Sequence, residues 1–235
     1  MTSKYRYLVP NGITFASLTC GILSILLAAT GKSDNLLAAG ILILASYILD
    51  LFDGYTARRL QASSEFGLQL DSLVDMVSLG TAPAVLTFMH LQNEGLTGWW
   101  VWPFVVMVPL AGAFRLARFN LLPPKKTGNT DSMGLTISTG GATLALSVLS
   151  DLTAPGNYLP EWTFVLLMLV ISLLMVSTIA FPSVFWVFSG KRKRIVLISL
   201  LGVSVFVTPF FHAWFIWNNA YLGLSLARAG YYKVR

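Results

Sequence analysis

Two apolar runs of this 235-residue chain, from about 36 to 60 and from about 65 to 91, are each long enough to cross a bilayer as a helix. Each nevertheless carries two aspartates well inside it, Asp50 and Asp53 in the first, Asp71 and Asp75 in the second. A carboxylate alone in hydrocarbon costs several kcal/mol, so such residues turn toward a bundle interior or a water-filled cavity. The spacings i, i+3 and i, i+4 put each pair on one helix face. With a rise of about 1.5 Å per residue, Asp50 and Asp53 lie about 15 and 10 Å from the helix end at Leu60, and Asp71 and Asp75 about 9 and 15 Å from the next helix start at Glu65. A short turn makes the two helices antiparallel, the depths match, and all four carboxylates can converge in one polar cavity. Such a cage of hard oxygen donors suits Mg²⁺ or Mn²⁺ better than any soft metal.

The remaining chain fits a lipid setting. Hydrophobic residues make up 55% and charged residues 11%, against about 25% charged in ordinary soluble domains. These values predict an all-α fold: a polytopic integral membrane helical bundle forming a single domain over 1–235. Lys4 and Arg6 among Tyr5, Tyr7, Leu8 and Val9 predict a short interfacial helix over 1–9. No small-residue cleavage site follows, so no removable signal peptide is expected. A six-span core is predicted over 10–190. Span 1 runs from Pro10 to about Thr30, and the two aspartate-bearing spans follow, with Ser63 and Ser64 available to cap the third. Span 4 begins at the interfacial Trp99, Trp100 and Trp102 and ends in Arg115-Leu-Ala-Arg118-Phe-Asn120; span 5 covers about 132–149 and span 6 about 162–188. A polar segment over 121–131, with Lys125 and Lys126, joins spans 4 and 5.

Beyond Lys191-Arg-Lys-Arg194, the apolar stretch 195–227 reads as two further spans meeting near Thr208-Pro209, although one kinked helix also fits. About eight transmembrane helices then place every lysine and arginine except Lys32 on one side. The positive-inside rule makes that side cytoplasmic, with both termini and the mouth of the acidic cavity. The net charge of +6 is thereby explained by topology and anionic headgroups, and nucleic acid is set aside as a partner. Cys20, the single cysteine, cannot form an internal disulfide.

Gly54, Ala57 and Gly67 beside the carboxylates either let a bulky ligand reach the helix backbone or serve close helix packing. Arg58 offers a fork of donors to a phosphate, while Arg59 fits a topological anchor. The whole pattern, Asp50-x2-Asp53-Gly54-x2-Ala57-Arg58-x8-Gly67-x3-Asp71-x3-Asp75, resembles the signature of the CDP-alcohol phosphotransferase family at every fixed position. That resemblance implies a cytosol-facing site holding one or two divalent cations, with Asp50, Asp53 and Asp71 as main ligands. Asp75 would be the general base, also touching a second metal, and Gly54, Ala57, Arg58 and Gly67 would meet the cytidine diphosphate part of the donor. A homodimer is implied as well. The chemistry is coherent: cations neutralise a pyrophosphate while a carboxylate takes the proton of the attacking hydroxyl. His90 and His212 fall in separate spans as interfacial or packing residues and offer no pair for a phosphatidyl-enzyme route, so direct displacement is expected.

Pro10-Asn11-x2-Thr14, the run from Phe66 to Pro83 with Ser72, Ser78 and Gly80, and Arg115-x2-Arg118-Phe119-Asn120 resemble the serine branch of that family. The branch implies CDP-diacylglycerol as donor and L-serine as acceptor, giving phosphatidylserine and CMP. Arg115, Arg118 and Asn120 are then candidates for the serine carboxylate or a lipid phosphate, with plain topology as the alternative for the arginines. Asn11 and Thr14 share a helix face and serve either the nucleotide or an N-terminal cap. One departure bears on the acceptor. Gly134-Leu135-Thr136-Ile137-Ser138 stands where the branch has Gly-Leu-Pro-x-Pro, which changes a wall of the acceptor pocket. Glycerol 3-phosphate, inositol or inositol phosphate therefore stay open as acceptors, as do ether-linked donor tails. An ion-coupled transporter also carries intramembrane acids, but leaves Gly54, Ala57, Arg58 and their spacing unexplained.

Overall fold

The computed structural model describes residues 5–121, 132–154, 159–181 and 209–234. A single 3₁₀ turn, Tyr5–Tyr7, runs directly into α1, Leu8–Ala28. Residues 1–4 of the interfacial helix expected over 1–9 lie outside the described residues. Pro10 sits in the first turn of α1, where a missing N–H is harmless and the fixed φ favours the helix, so nothing interrupts the chain there.

Helix α2, Ser33–Arg59, packs antiparallel along α1. The turn between them uses Gly31 at φ +69°, whose carbonyl accepts from Asn93 Nδ2 at 2.6 Å. Small hydroxyl residues let the two backbones approach: Ser17 Oγ lies 2.7 Å from Ser46 Oγ, and Ser24 Oγ donates to the Ala39 carbonyl at 2.9 Å.

The third span is continuous over Glu65–Asn93 but not uniform. Helix α3, Glu65–Asp75, starts at Ser64, whose hydroxyl accepts from Gly67 N at 3.0 Å. A π-helical turn, Met76–Thr81, then leads into α4, Ala82–Asn93. Pro83 accounts for the widening, since its ring cannot donate to the Leu79 carbonyl four residues back and clashes with it in a regular α-helix. A 3₁₀ turn, Trp99–Val101, opens the fourth span, continued by α5, Trp102–Leu121. Leu8–Ala28, Ser33–Arg59, Glu65–Asn93 and Trp99–Leu121 are all long and apolar enough to cross a bilayer, which makes this a multi-pass membrane protein.

Two expected boundaries move. Span 5 starts not at Ser132 but with α6, Ile137–Thr153, and span 6 stops not near Phe188 but with α7, Glu161–Val176. A small antiparallel ladder takes up the difference, β1, Ser132–Met133, pairing with β2, Ala180–Phe181. Gly134 turns out of β1 at φ +74°, and Gly134 N and Leu135 N donate to the carbonyls of Ile179 and Leu174. Non-helical backbone near membrane depth survives only when its polar groups are satisfied by protein. Helix α8, Phe210–Val234, begins just after Pro209. Four helices long and apolar enough to cross a bilayer are present among the described residues. Residues 122–131 with Lys125 and Lys126, the 191–194 cluster and 195–208 lie outside them.

Helix α6 is the axis of the bundle. Its residues from Thr139 to Asp151 are all buried, and it touches α2, α4, the π turn, α7 and α8. Its glycines and small hydroxyl residues are what permit that position. An added Cβ at Gly141 would overlap the Leu79 carbonyl oxygen, and one at Gly112 would crowd Ile137. At the end of α6 away from the aspartates, Asp151 Oδ2 meets His90 Nε2 at 3.0 Å and Asp151 Oδ1 accepts from Leu159 N at 2.7 Å; His212 Nδ1 meets Ser150 Oγ at 2.7 Å. The His90 ring also stands edge-on to Phe164.

Candidate active site

Helix α2 carries Asp50 and Asp53, and α3 carries Asp71 and Asp75. One carboxylate oxygen each of Asp50, Asp53 and Asp71 lie within 4.8 Å of one another. Two hydroxyls from other helices reach this triad: Thr14 Oγ1 of α1 donates to Asp53 Oδ2 at 2.8 Å, and Ser138 Oγ of α6 donates to Asp50 Oδ2 at 3.1 Å. The Thr14 hydroxyl is also 3.0 Å from the Pro10 carbonyl, but the carboxylate is the closer and stronger acceptor. A donor set of three carboxylates, all hard oxygen and repelling one another unless neutralised, fits Mg²⁺ or Mn²⁺. Asp75 stands outside that triad. It is 8% exposed, at the junction of α3 and the π turn, and its charged neighbours are Asp50, Asp71 and Arg115.

A cavity of about 360 Å³ opens beside the triad, within the range of small-molecule sites. Asn11 and Thr14 of α1, Asp53, Gly54, Ala57 and Arg58 of α2, Ser64, Gly67 and Asp71 of α3, and Phe119 of α5 line it. The two glycines are wall positions: a Cβ at Gly54 would come 3.4 Å from Arg58 Nη1, and one at Gly67 would come 3.2 Å from Ser64 Oγ and 3.6 Å from Asn11 Oδ1. The motif residues that sequence spacing groups together thus share one cavity with two of the three triad members.

The three acceptor candidates on α5 divide. Arg115 is 7% exposed; one Nη donates to Ser132 Oγ at 3.2 Å, and its buried Nε has no partner among the described residues. Asn120 Nδ2 donates to Ser72 Oγ at 3.1 Å, leaving its buried Oδ1 likewise without one. Arg118 is spent on the fold. Its Nη atoms face the carbonyls of Val176, Met133, Ser177 and Met175 at 2.9 to 3.2 Å, which ties the end of α7 to β1. Arg118→Gln is expected to lower the midpoint of thermal unfolding, since charge-assisted bonds contribute about 1.5–3 kcal/mol each and carbonyls left unpaired cost more. An unchanged midpoint would remove this clamp.

The family model for CDP-alcohol phosphatidyltransferase matches residues 7–225, nearly the whole chain and every residue of the cavity. This chain belongs to the CDP-alcohol phosphatidyltransferase family. Among relatives of this phosphatidyltransferase, a CDP-diacylglycerol–serine O-phosphatidyltransferase of Helicobacter pylori strain J99 is 34% identical over 210 residues, covering 86% of this chain and 83% of the relative. One of the same name from Methanocaldococcus jannaschii is 34% identical over 175 residues, 74% of this chain and 73% of that one. An archaetidylserine synthase of Methanothermobacter thermautotrophicus is 32% identical over 178 residues, 75% and 70% respectively. The family resemblance read from Asp50 to Asp75 is thereby confirmed. In this phosphatidyltransferase, Ser138 is the site neighbour that sequence reasoning missed. It stood out only as a departure in a motif, and its contact to Asp50 spans 88 positions.

Proposed function

We propose that this chain transfers the phosphatidyl group of CDP-diacylglycerol to the hydroxyl of L-serine, giving phosphatidylserine and CMP by direct displacement. The observation that carries this reading is a shared wall: Asp53 and Asp71 of the oxygen triad line the same cavity as Gly54, Ala57, Arg58 and Gly67. Asp50, Asp53 and Asp71 would hold a divalent cation, Mg²⁺ or Mn²⁺, which would supply charge neutralisation for the pyrophosphate and the leaving CMP. Arg58 donates to a donor phosphate, and the bare backbone at Gly54 and Gly67 admits the cytidine end, with Asn11 and Thr14 opposite. Asp75 accepts the hydroxyl proton as the serine oxygen bonds to the lipid-bearing phosphorus and the bond from that phosphorus to CMP breaks.

Serine is favoured over other alcohols by the names of the relatives and by Arg115. Its guanidinium, buried beside Asp75 with Nε unspent, suits a carboxylate held close to the reacting hydroxyl, and Asn120 Oδ1 suits the ammonium. The distribution of lysine and arginine supports a cavity open to the cytoplasm, both termini cytoplasmic, and about eight spans in a single domain of which 10–190 is the catalytic core and 191–235 adds two spans. The family resemblance supports a homodimer. The test is a panel of serine, glycerol 3-phosphate, inositol and inositol phosphate against diacyl and ether-linked CDP-lipids, with and without chelator. Labelled serine is expected to enter lipid, and only with Mg²⁺ or Mn²⁺ present; incorporation of another alcohol with none of serine reassigns the acceptor.

A further inference from the structure

Asp50 and Asp53 project from one helix, and that helix fixes their Cα positions but not the rotation of their carboxylates, which is broad about the terminal torsion. Each receives one hydroxyl from a different neighbour, Thr14 of α1 for Asp53 and Ser138 of α6 for Asp50. We propose that Ser138 is a positioning residue of the metal centre, its hydroxyl setting the orientation in which Asp50 meets Asp53 and Asp71. The proposal rests on the reading that these three carboxylates hold a divalent cation.

The Ser138 hydroxyl is free for this task because the helix does not need it. Thr136 already caps α6, its Oγ1 accepting from Thr139 N at 3.2 Å and pairing with Thr139 Oγ1 at 2.7 Å. Ser138 is the second residue of the helix, in the turn whose N–H groups have no intrahelical acceptor, so its side chain contributes nothing to the ladder. Its position is nonetheless well fixed. Gly141, one turn on, lies directly against the Leu79 carbonyl, and further along Leu149 fills the space left by Gly40 of α2. The helix that carries the hydroxyl is therefore held against both the helix that carries Asp50 and the π turn that follows Asp75. A carboxylate oxygen has two lone pairs, so one that accepts from Ser138 can still ligate. Outer partners of this kind orient ligands, and losing one typically costs about 10–100-fold in metal affinity or activity.

The test is Mn²⁺ binding to the purified full-length chain in detergent, read from the paramagnetic resonance signal of free Mn²⁺, with thermal unfolding in chelator as a second readout. Ser138→Ala is expected to bind Mn²⁺ about tenfold more weakly, with an unchanged unfolding midpoint in chelator, and to recover turnover when Mn²⁺ is raised. Ser138→Thr, which keeps the hydroxyl, is expected to restore most of the affinity. Wild-type affinity in Ser138→Ala, while Asp50→Asn loses binding, overturns the proposal; so does a lower midpoint in chelator with unchanged affinity, which marks a packing role. If Asp50→Asn itself binds Mn²⁺ as tightly as the wild type, the metal reading of the triad fails and the proposal falls with it.

Discussion

Asp75→Asn is expected to lower kcat by about 10³-fold, inside the span of about 10²–10⁴ that a positioned general base contributes, equivalent to about 4 kcal/mol of barrier. Asparagine keeps the shape of the side chain at a position only 8% exposed, so the packing around α3 and the π turn is retained. What disappears is the ability to take a proton. Asp75 is outside the triad of Asp50, Asp53 and Asp71 and does not line the cavity assigned to the CDP end. The KM for CDP-lipid and the affinity for Mn²⁺ should therefore change little, the pattern of a group used only in the transition state. Asp71→Asn makes the contrast, because Asp71 belongs to both the triad and the cavity wall and should weaken metal binding and turnover together. Steady-state kinetics and Mn²⁺ titration on the two variants separate the roles. Near-normal turnover in Asp75→Asn removes it as the base, and a collapse of Mn²⁺ affinity in that variant makes it a ligand instead.

The first four spans were readable because each is a long, predominantly apolar run bounded by charges, small polar residues or tryptophans, and the regular helical rise then matches aspartates on neighbouring spans by depth alone. The clustering of Asp50, Asp53 and Asp71 follows from that rise and from the five-residue turn 60–64 between α2 and α3. The start of α6 was not readable. Ser132 and Met133 are apolar enough in context to continue a span, and what stops them is a ladder with Ala180 and Phe181, a contact between distant segments that no local pattern announces. Arg118 shows the same limit from the side of chemistry. A sequence displays its charge at the end of a span, where an acceptor site and a topological anchor are both reasonable, but not the carbonyls of Met175, Val176 and Ser177 that surround it. The π turn left one trace, Pro83, whose effect falls on the Leu79 carbonyl four residues earlier.

That carbonyl makes Gly141 the most informative packing position in the molecule. Gly141→Ala sets two effects against each other. Alanine is favoured over glycine inside a helix by about 1 kcal/mol, whereas overpacking a filled interior costs about 1–3 kcal/mol and sometimes more. The sign depends on whether the neighbour can yield. Here the obstacle is the Leu79 carbonyl oxygen, part of the backbone of the π turn rather than the end of a flexible side chain, and Pro83 bars a return to regular α geometry. The clash should win, with a net loss of about 2 kcal/mol seen as a lower midpoint of thermal unfolding. Catalysis should suffer more than stability. The π turn begins at the residue after Asp75, and α6 carries Ser138 against Asp50, so separating them shifts the base and a carboxylate of the triad relative to each other. A misplacement of about 1 Å at a reacting centre can cost about 10²-fold in rate. Gly223→Ala on α8, where an added Cβ meets nothing within 4 Å, supplies the comparison. It should be neutral or slightly stabilising through helix propensity alone. If both variants unfold and turn over as the wild type does, α6 and the π turn are not in the close contact that sets the geometry of the aspartate site.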